Sequence, residues 1–235
     1  MIKRYRKDSD ISYSLGISPT IELLRNRSME TIKVYLSPDV SEDSKGVSEI
    51  KNICREKGIS WEINKSVMDR ISVTGNTYTA GVYKKYTSDL DPMGNHIVLF
   101  EPADMGNLGT ICRTMYAYGF KDLAIVKPAV DIFDPKVGRS SMGAVYTVNY
   151  NYFNSIDEYI SLYKHINYFF VTGGDSILSK TIFNNPYSIF FGNEGKGLPA
   201  DVTDKGKRVR IPQSSYVDSL NLSVAVGIAL YQINQ

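Results

Sequence analysis

Between residues 96 and 235 the chain repeats one pattern: a short uninterrupted apolar run, then a stretch with helical spacing. The runs are His96-Ile97-Val98-Leu99-Phe100, Leu123-Ala124-Ile125-Val126, Tyr168-Phe169-Phe170-Val171 and Tyr187-Ser188-Ile189-Phe190-Phe191. Arg208-Val209-Arg210-Ile211 is a fifth, more polar candidate. Strands without polar alternation suit a sheet covered on both faces. Helical stretches are expected over 107–118, 156–165 and 221–235. Strands alternating with helices in this way predict an α/β domain with a mainly parallel sheet.

The first third reads as a smaller α/β unit. Ser18-Pro19-Thr20 precedes Ile21-Glu22-Leu23-Leu24 as a helix start. Thr31–Leu36 alternates like a half-buried strand, and Ser37-Pro38 ends it. Over 48–57, Ile50, Ile53 and Cys54 fall at helical spacing, with Gly58 as C-cap. Ile59–Ile63 is a short strand. Turn residues gather between Tyr83 and Asn95 and periodicity stops. The expected organisation is a small domain over 1–84, a linker over 85–94 and the larger α/β domain over 95–235.

Composition removes several classes. With 43% hydrophobic and 22% charged residues the chain is not a disordered one. No run approaches the roughly 18 apolar residues that span a bilayer. The basic start, Met1 to Lys7, has no apolar region behind it and so does not read as a secretory signal. Two cysteines, Cys54 and Cys112, are too few for a disulfide framework. A cytoplasmic location with reduced thiols and no membrane partner is expected. His96 and His165 stand apart from each other and from both cysteines, so no metal is expected. The net charge of +2 selects no partner. The cluster Lys3, Arg4, Arg6 and Lys7 can meet phosphates, although on charge alone a solvated, frayed terminus is the favoured reading.

Three segments carry unusual chemistry. Asp104-Met105-Gly106-Asn107-Leu108-Gly109-Thr110-Ile111-Cys112-Arg113-Thr114 joins a buried strand to a helix, with Asn107 as a candidate cap. Gly192-Asn193-Glu194-Gly195-Lys196-Gly197 follows another buried strand and exposes backbone groups that can hold a small molecule. It lacks the Ser or Thr after lysine, and the glycine spacing, of a P-loop. The third is Ile211-Pro212-Gln213 followed by Asp218-Ser219-Leu220-Asn221-Leu222-Ser223-Val224-Ala225, where Ser219 or Asn221 can cap the last helix. Each alone fits a capped turn; capping does not explain all three together.

In order and spacing, over about 95–235, these segments resemble the three motifs of the SpoU (TrmH-like) branch of the SPOUT RNA methyltransferases. Arg139-Ser140-Ser141-Met142-Gly143-Ala144-Val145-Tyr146 is similar to the family's stretch between its first two motifs. The N-terminal part resembles the L30e-like substrate-binding domain often fused to this family, through residues 17–24 and 33–37. The thiostrepton-resistance-like subgroup, which modifies ribosomal RNA, is the nearest in flavour. One departure from the pattern stands at Ser215-Tyr216-Val217-Asp218, where a glycine commonly precedes the Ser-Leu-Asn element.

The resemblance implies an α/β SPOUT domain with a C-terminal trefoil knot, against the general rule that chains do not thread loops. It implies a homodimer in which one subunit's first motif faces the other's donor pocket. It implies transfer of a methyl group from S-adenosyl-L-methionine (AdoMet) to a ribose 2′-hydroxyl in RNA, ribosomal before transfer RNA. Gly192, Ile211 and Leu220 would contact AdoMet, with Thr172 and Gly173 beside them. Arg113 would be the central catalytic residue, as base or as phosphate clamp. A free guanidinium has a pKa of roughly 13.8, so deprotonating it at pH 7 costs about 9 kcal/mol and the clamp is cheaper. Glu194 would pair with Arg113 or orient it, Ser219 and Asn221 would hydrogen-bond the ribose or the surroundings of the nucleophile, and Asn107 would fix the first motif. Arg139, Arg4 and Arg6 would bind RNA. The alternatives are a catalytically inactive RNA-binding protein of the same fold and, as in other SPOUT branches, a base methylase.

Overall fold

The structure is a computed structural model that describes residues 2–41, 44–72 and 77–235. The chain forms two compact units: Met1–Tyr86 with Asp131–Thr147, and Thr87–Val130 with Val148–Gln235.

The first unit contains β1 (Ile11–Leu15), α1 (Ile17–Asn26), β2 (Thr31–Leu36), α2 (Lys45–Lys57), β3 (Trp61–Ile63), α3 (Lys65–Ile71) and β4 (Thr79–Lys84). The sheet order is β1-β4-β2-β3; β4 runs antiparallel to β1 and β2, and β3 parallel to β2. Alternation along β2 divides the core. Val34 and Leu36 pack with Ile21, Leu24, Val47, Ile50 and Cys54, while Tyr35 packs with Tyr13, Met68, Ile71 and Val82. Gly58 ends α2 in the left-handed region, at φ 68°. Tyr83 and Lys84, at the start of the stretch where the sequence loses periodicity, belong to β4. β1, absent from the elements expected from sequence, has serines at its alternate positions. Both are buried, with Ser12 Oγ donating to Phe133 O and Ser14 Oγ bonded to Thr20 Oγ1. Nor is the N-terminal arm frayed: Tyr5 donates to Asp131, Tyr13 to Lys3 O, and Lys85 Nζ to Lys7 O.

The second unit opens with β5 (His96–Phe100), α4 (Met105–Ala117) and β6 (Asp122–Val126). The chain then contributes α5 (Pro135–Ser140) and a 3-10 turn (Ala144–Thr147) to the first unit. There Phe133 packs on Tyr83 and Tyr86, and Tyr146 O accepts from Arg27 Nε at 3.0 Å. These contacts explain why 131–147 groups with the N-terminal unit and not with the larger domain to which the sequence assigned it. The second unit resumes with β7 (Asn149–Phe153), α6 (Ile156–Leu162), β8 (Ile166–Phe170), β9 (Ser176–Ile177), β10 (Tyr187–Phe191), α7 (Ala200–Thr203), β11 (Lys207–Arg210) and α8 (Leu222–Ile233).

The second unit's seven strands are parallel, in the order β7-β6-β5-β10-β8-β11-β9. Both faces are covered, as the apolar runs require. Val98, Ala124, Phe169 and Phe190 pack on one side with Tyr159 and Val202; Ile97, Leu99, Ile125 and Ile189 alternate with them and are equally buried. Leu90, inside the expected linker, is 3% exposed and joins that first cluster. α4 and α8 pack against each other.

Two topological facts position the site. From β5 the sheet grows one way through β6 and β7 and the other way through β10, so β5 and β10 flank the switch point. Open parallel sheets bind ligands beyond the carboxyl ends of such strands. Second, β11 pairs between β8 and β9, although those two are joined directly by residues 171–175. That connection passes so close over β11 that a Cβ on Gly174 would lie 2.6 Å from the carbonyl carbon of Val209. Among the described residues, no helix is long and apolar enough to cross a membrane, and no group of three His, Cys, Asp or Glu side chains has the arrangement to hold a metal ion.

Candidate active site

The loops after β5 and β10 meet at the switch point and are tied by side chains. Asn193 Nδ2 donates to Glu101 O at 2.7 Å, and Glu101 takes a positive φ of 49°. Glu194 accepts from Ala103 N and from Asn107 Nδ2, both at 3.2 Å. Asn107 Oδ1 in turn accepts from Asn221 Nδ2 at 3.1 Å. One residue from each of the three sequence segments thus forms a continuous chain, Glu194–Asn107–Asn221.

Local chemistry explains each position. Asp104 caps α4 by accepting from Asn107 N at 2.7 Å, so Asn107 lies inside the helix and is not its cap. That frees its side chain for Glu194 and Asn221. Asn221 does cap α8, accepting from Ser223 N and Val224 N. Asn193 Oδ1 accepts from Gly195 N and Lys196 N, which curls the loop back on itself. Gly192 sits under that curl: a Cβ there would be 2.3 Å from the Gly197 carbonyl carbon. Asn193 was missed from sequence, although an asparagine two residues before a glycine signals such a turn.

A cavity of about 420 Å³ opens beside this network. Its wall includes Thr172, Gly192, Glu194, Ile211, Ser219 and Leu220 from the expected set, with Phe170, Val171, Leu198, Gln213 and Asp218 not foreseen. Gly173 is absent from the lining; its carbonyl accepts from Arg208. Small-molecule sites commonly occupy about 300–1,000 Å³ and combine apolar walls with a few fixed polar groups, as here. Of the lining residues not foreseen, Phe170 and Val171 lie at the end of β8, while Leu198, Gln213 and Asp218 lie in the loops after β10 and β11.

Arg113 is exposed on α4 and does not line the cavity. Six residues separate it from Asn107, which turns it about 240° around the helix. The expected Arg113–Glu194 pairing is therefore not formed; Glu194 is bonded to Asn107 and Ala103 instead. Arg139 lies on α5, in the first unit. Arg4 and Arg6 are exposed in that unit too, and Arg6 pairs with Asp8 at 3.1 Å. At the far end of the sheet both histidines are structural: His96 bonds Tyr159 and Asp91 O, and His165 bonds Ser188 and Pro92 O. Burial lowers the His96 pKa.

The profile of the SpoU rRNA methylase family matches residues 94–231, which contain the entire network and cavity. The chain belongs to the SpoU rRNA methylase family. A tRNA/rRNA methyltransferase from Synechocystis is 34% identical over 140 residues, 58% of this chain and 51% of that protein. The chain thus spans about half of that relative's length. A Bacillus subtilis protein named as a tRNA (cytidine(34)-2′-O)-methyltransferase is 31% identical over 144 residues, 58% of this chain and 89% of its own. The crystal structure of an AdoMet-bound rRNA methyltransferase from Sinorhizobium meliloti shares the fold with a TM-score of 0.81, at 24% identity, over 97% of this chain and 88% of that one.

Proposed function

We propose that this SpoU-family protein transfers a methyl group from AdoMet to a ribose 2′-hydroxyl in RNA, the sulfur leaving as a neutral thioether and the hydroxyl proton passing to solvent water. The observation that carries the reading is the Glu194–Asn107–Asn221 chain beside the 420 Å³ cavity at the switch point. Bound AdoMet supplies an electrophilic methyl on a sulfonium. Gly192, Ile211 and Leu220 hold it largely through backbone, and the missing Cβ of Gly192 lets the chain close tightly. Thr172 lies in the same wall. Ser219 and Asn221 orient the ribose so that its hydroxyl meets the methyl in line. Lys196, exposed on the cavity rim, and Arg113 take RNA phosphates. Arg4, Arg6 and Arg139, all in the first unit, add phosphate contacts that position the RNA.

Three further features follow. The insertion of β11 between β8 and β9, with Gly174 crossing it, supports a trefoil knot. The mixed four-stranded first unit supports an L30e-like RNA-recognition domain. The exposed apolar residues Val224, Ile228 and Tyr231 on α8, with Tyr116 on α4, support a homodimer whose second subunit supplies Arg113 to the cavity.

Ribosomal RNA is the favoured substrate. The Bacillus protein named for tRNA matches only 58% of this chain while 89% of its own length is used, so it has little room for the first unit. The rRNA methyltransferase from S. meliloti is matched over 97% of this chain. The test is incubation with methyl-labelled AdoMet and separated ribosomal and transfer RNA. Label recovered as a 2′-O-methylnucleoside from ribosomal RNA, and lost with Arg113→Ala, is the expected result. Label on a base would overturn the ribose assignment, and AdoMet-independent RNA binding without transfer would favour an inactive RNA-binding protein.

A further inference from the structure

Tyr216 sits at the tip of the loop between β11 and α8 and is 94% exposed. The base of that loop is part of the cavity wall, through Gln213, Asp218 and Ser219. Gln213 Nε2 donates to Asp218 O at 3.3 Å, which closes the loop below its tip. An aromatic ring is thus held in solvent next to the proposed methyl-donor pocket. Tyrosine gains much from being covered, since it buries 150–250 Å².

The loop's composition narrows what covers it. Residues 211–221 contain no Lys or Arg and one acidic residue, Asp218. Such a loop does not attract phosphates. Apart from Val217 the ring's neighbours are small and polar, Ser214 and Ser215, so the tip lacks the cluster of apolar anchors that forms the centre of a protein interface. A lone ring on a polar, uncharged tip fits the flat face of an unpaired nucleobase, which stacks on aromatic side chains.

We infer that Tyr216 is a substrate-binding residue that stacks on an unpaired base at or beside the methylated nucleotide. The inference rests on the methyl-transfer reading above and adds a requirement that the target lie in a loop, bulge or single strand. Tyr216 acts through the ring face; its hydroxyl is dispensable.

The test compares wild type with Tyr216→Ala, Tyr216→Phe and Tyr216→Leu. Each is assayed with methyl-labelled AdoMet and the fractionated RNA that wild type labels. Tyr216→Ala and Tyr216→Leu are expected to lower kcat/KM for RNA by roughly 10- to 100-fold, the scale of one lost base–aromatic stack. Tyr216→Phe stays within about threefold of wild type, because the ring face is kept. AdoMet affinity, measured by titration calorimetry, stays within about twofold in all three, which shows a folded pocket. Wild-type efficiency in Tyr216→Ala or Tyr216→Leu overturns the assignment and leaves the methyl-transfer reading standing. So does a loss of activity that tracks conversion from dimer to monomer in sedimentation, which would make the ring a subunit contact. No transfer by wild type to any RNA sinks the methyl-transfer reading and this assignment with it.

Discussion

Asn107 and Asn221 are 114 residues apart in sequence and joined by one hydrogen bond of 3.1 Å, from the Asn221 side-chain amide to Asn107 Oδ1. The bond fastens the start of α8 to the start of α4 next to the cavity that Glu194, Leu220 and Leu222 line. It also divides labour, since Asn221 caps its helix while Asn107 leaves that task to Asp104.

The two asparagines are therefore expected to respond differently. Asn221→Ala removes a helix cap and costs about 0.5–2 kcal/mol in urea unfolding. Asn107→Ala leaves both caps intact but removes one of the two hydrogen bonds that hold Glu194, and is expected to weaken AdoMet binding by roughly three- to tenfold. Because they share a bond, the double variant loses less than the sum of the single losses. Strict additivity in both measurements would show that the 3.1 Å contact carries no coupling.

Adjacent glycines test the crossing over β11. Gly174→Ala places a Cβ against the backbone of Val209 and Arg210, neither of which can rotate away. Destabilisation of roughly 1–3 kcal/mol is expected in urea unfolding. Gly173→Ala meets no atom within 4 Å and should stay within about 0.5 kcal/mol of wild type. Equal effects at the two positions would mean that the chains do not cross there.

How much was legible follows from the same residues. β5 and β10 were readable to the residue because an unbroken apolar run has few alternatives. β7, Asn149-Tyr150-Asn151-Tyr152-Phe153, was not, because it is an edge strand with alternating asparagines. The motif residues Asn107, Glu194 and Asn221 were identified, but their partners were not. Pairing Glu194 with Arg113 is natural for charges, but within one chain the helix turn between Asn107 and Arg113 points the arginine elsewhere, and Glu194 bonds Asn107 and Ala103 instead. Segment 131–147 gave no signal of its allegiance, since its contacts, such as Phe133 on Tyr83, join residues far apart in sequence. Val171, an apolar residue just past the end of β8, lines the cavity but carries no polar signature that marks it as a site residue.

The expected linker offers a stability test. Leu90 is 3% exposed and packs with Val98, Phe153 and Phe190, so Leu90→Ala should cost about 2–5 kcal/mol. Met93, three residues on and 75% exposed, should tolerate alanine within about 0.5 kcal/mol. If both substitutions are neutral, residues 85–94 are a true linker.

His96 makes stability depend on pH. Burial first, then the neighbouring His165, lowers its pKa, against the carbonyl of Asp91 and the charges of Asp91 and Asp122. The folded form therefore holds this ring neutral below the pH at which the unfolded chain takes up a proton. Stability falls as pH drops below the unfolded value of about 6.5, and levels off below the depressed folded value. Melting temperatures from pH 7.5 to 5 should show the decline, and His96→Gln should flatten it while lowering stability throughout. An unchanged slope in the variant would assign the pH dependence to other groups.

Arg113 is exposed, carries no hydrogen bond or ion pair among the described residues, and does not line its own chain's cavity. In the proposed dimer it serves the other subunit's donor pocket. Arg113→Ala is expected to reduce transfer by at least about 100-fold with AdoMet affinity unchanged, the pattern of a group used in the transition state. Arg113→Lys keeps the charge but loses the planar fork, and should recover only part of that loss if a bidentate phosphate clamp is needed. Near-normal turnover in the lysine variant would exclude the bidentate role. Placement in trans has its own test. Arg113→Ala and a donor-site variant such as Gly192→Val are each inactive alone. Unfolded and refolded together, they form mixed dimers in which one pocket has both an intact wall and the other chain's arginine. Transfer should return in the mixture. A mixture as inactive as its components would place Arg113 in service of its own chain.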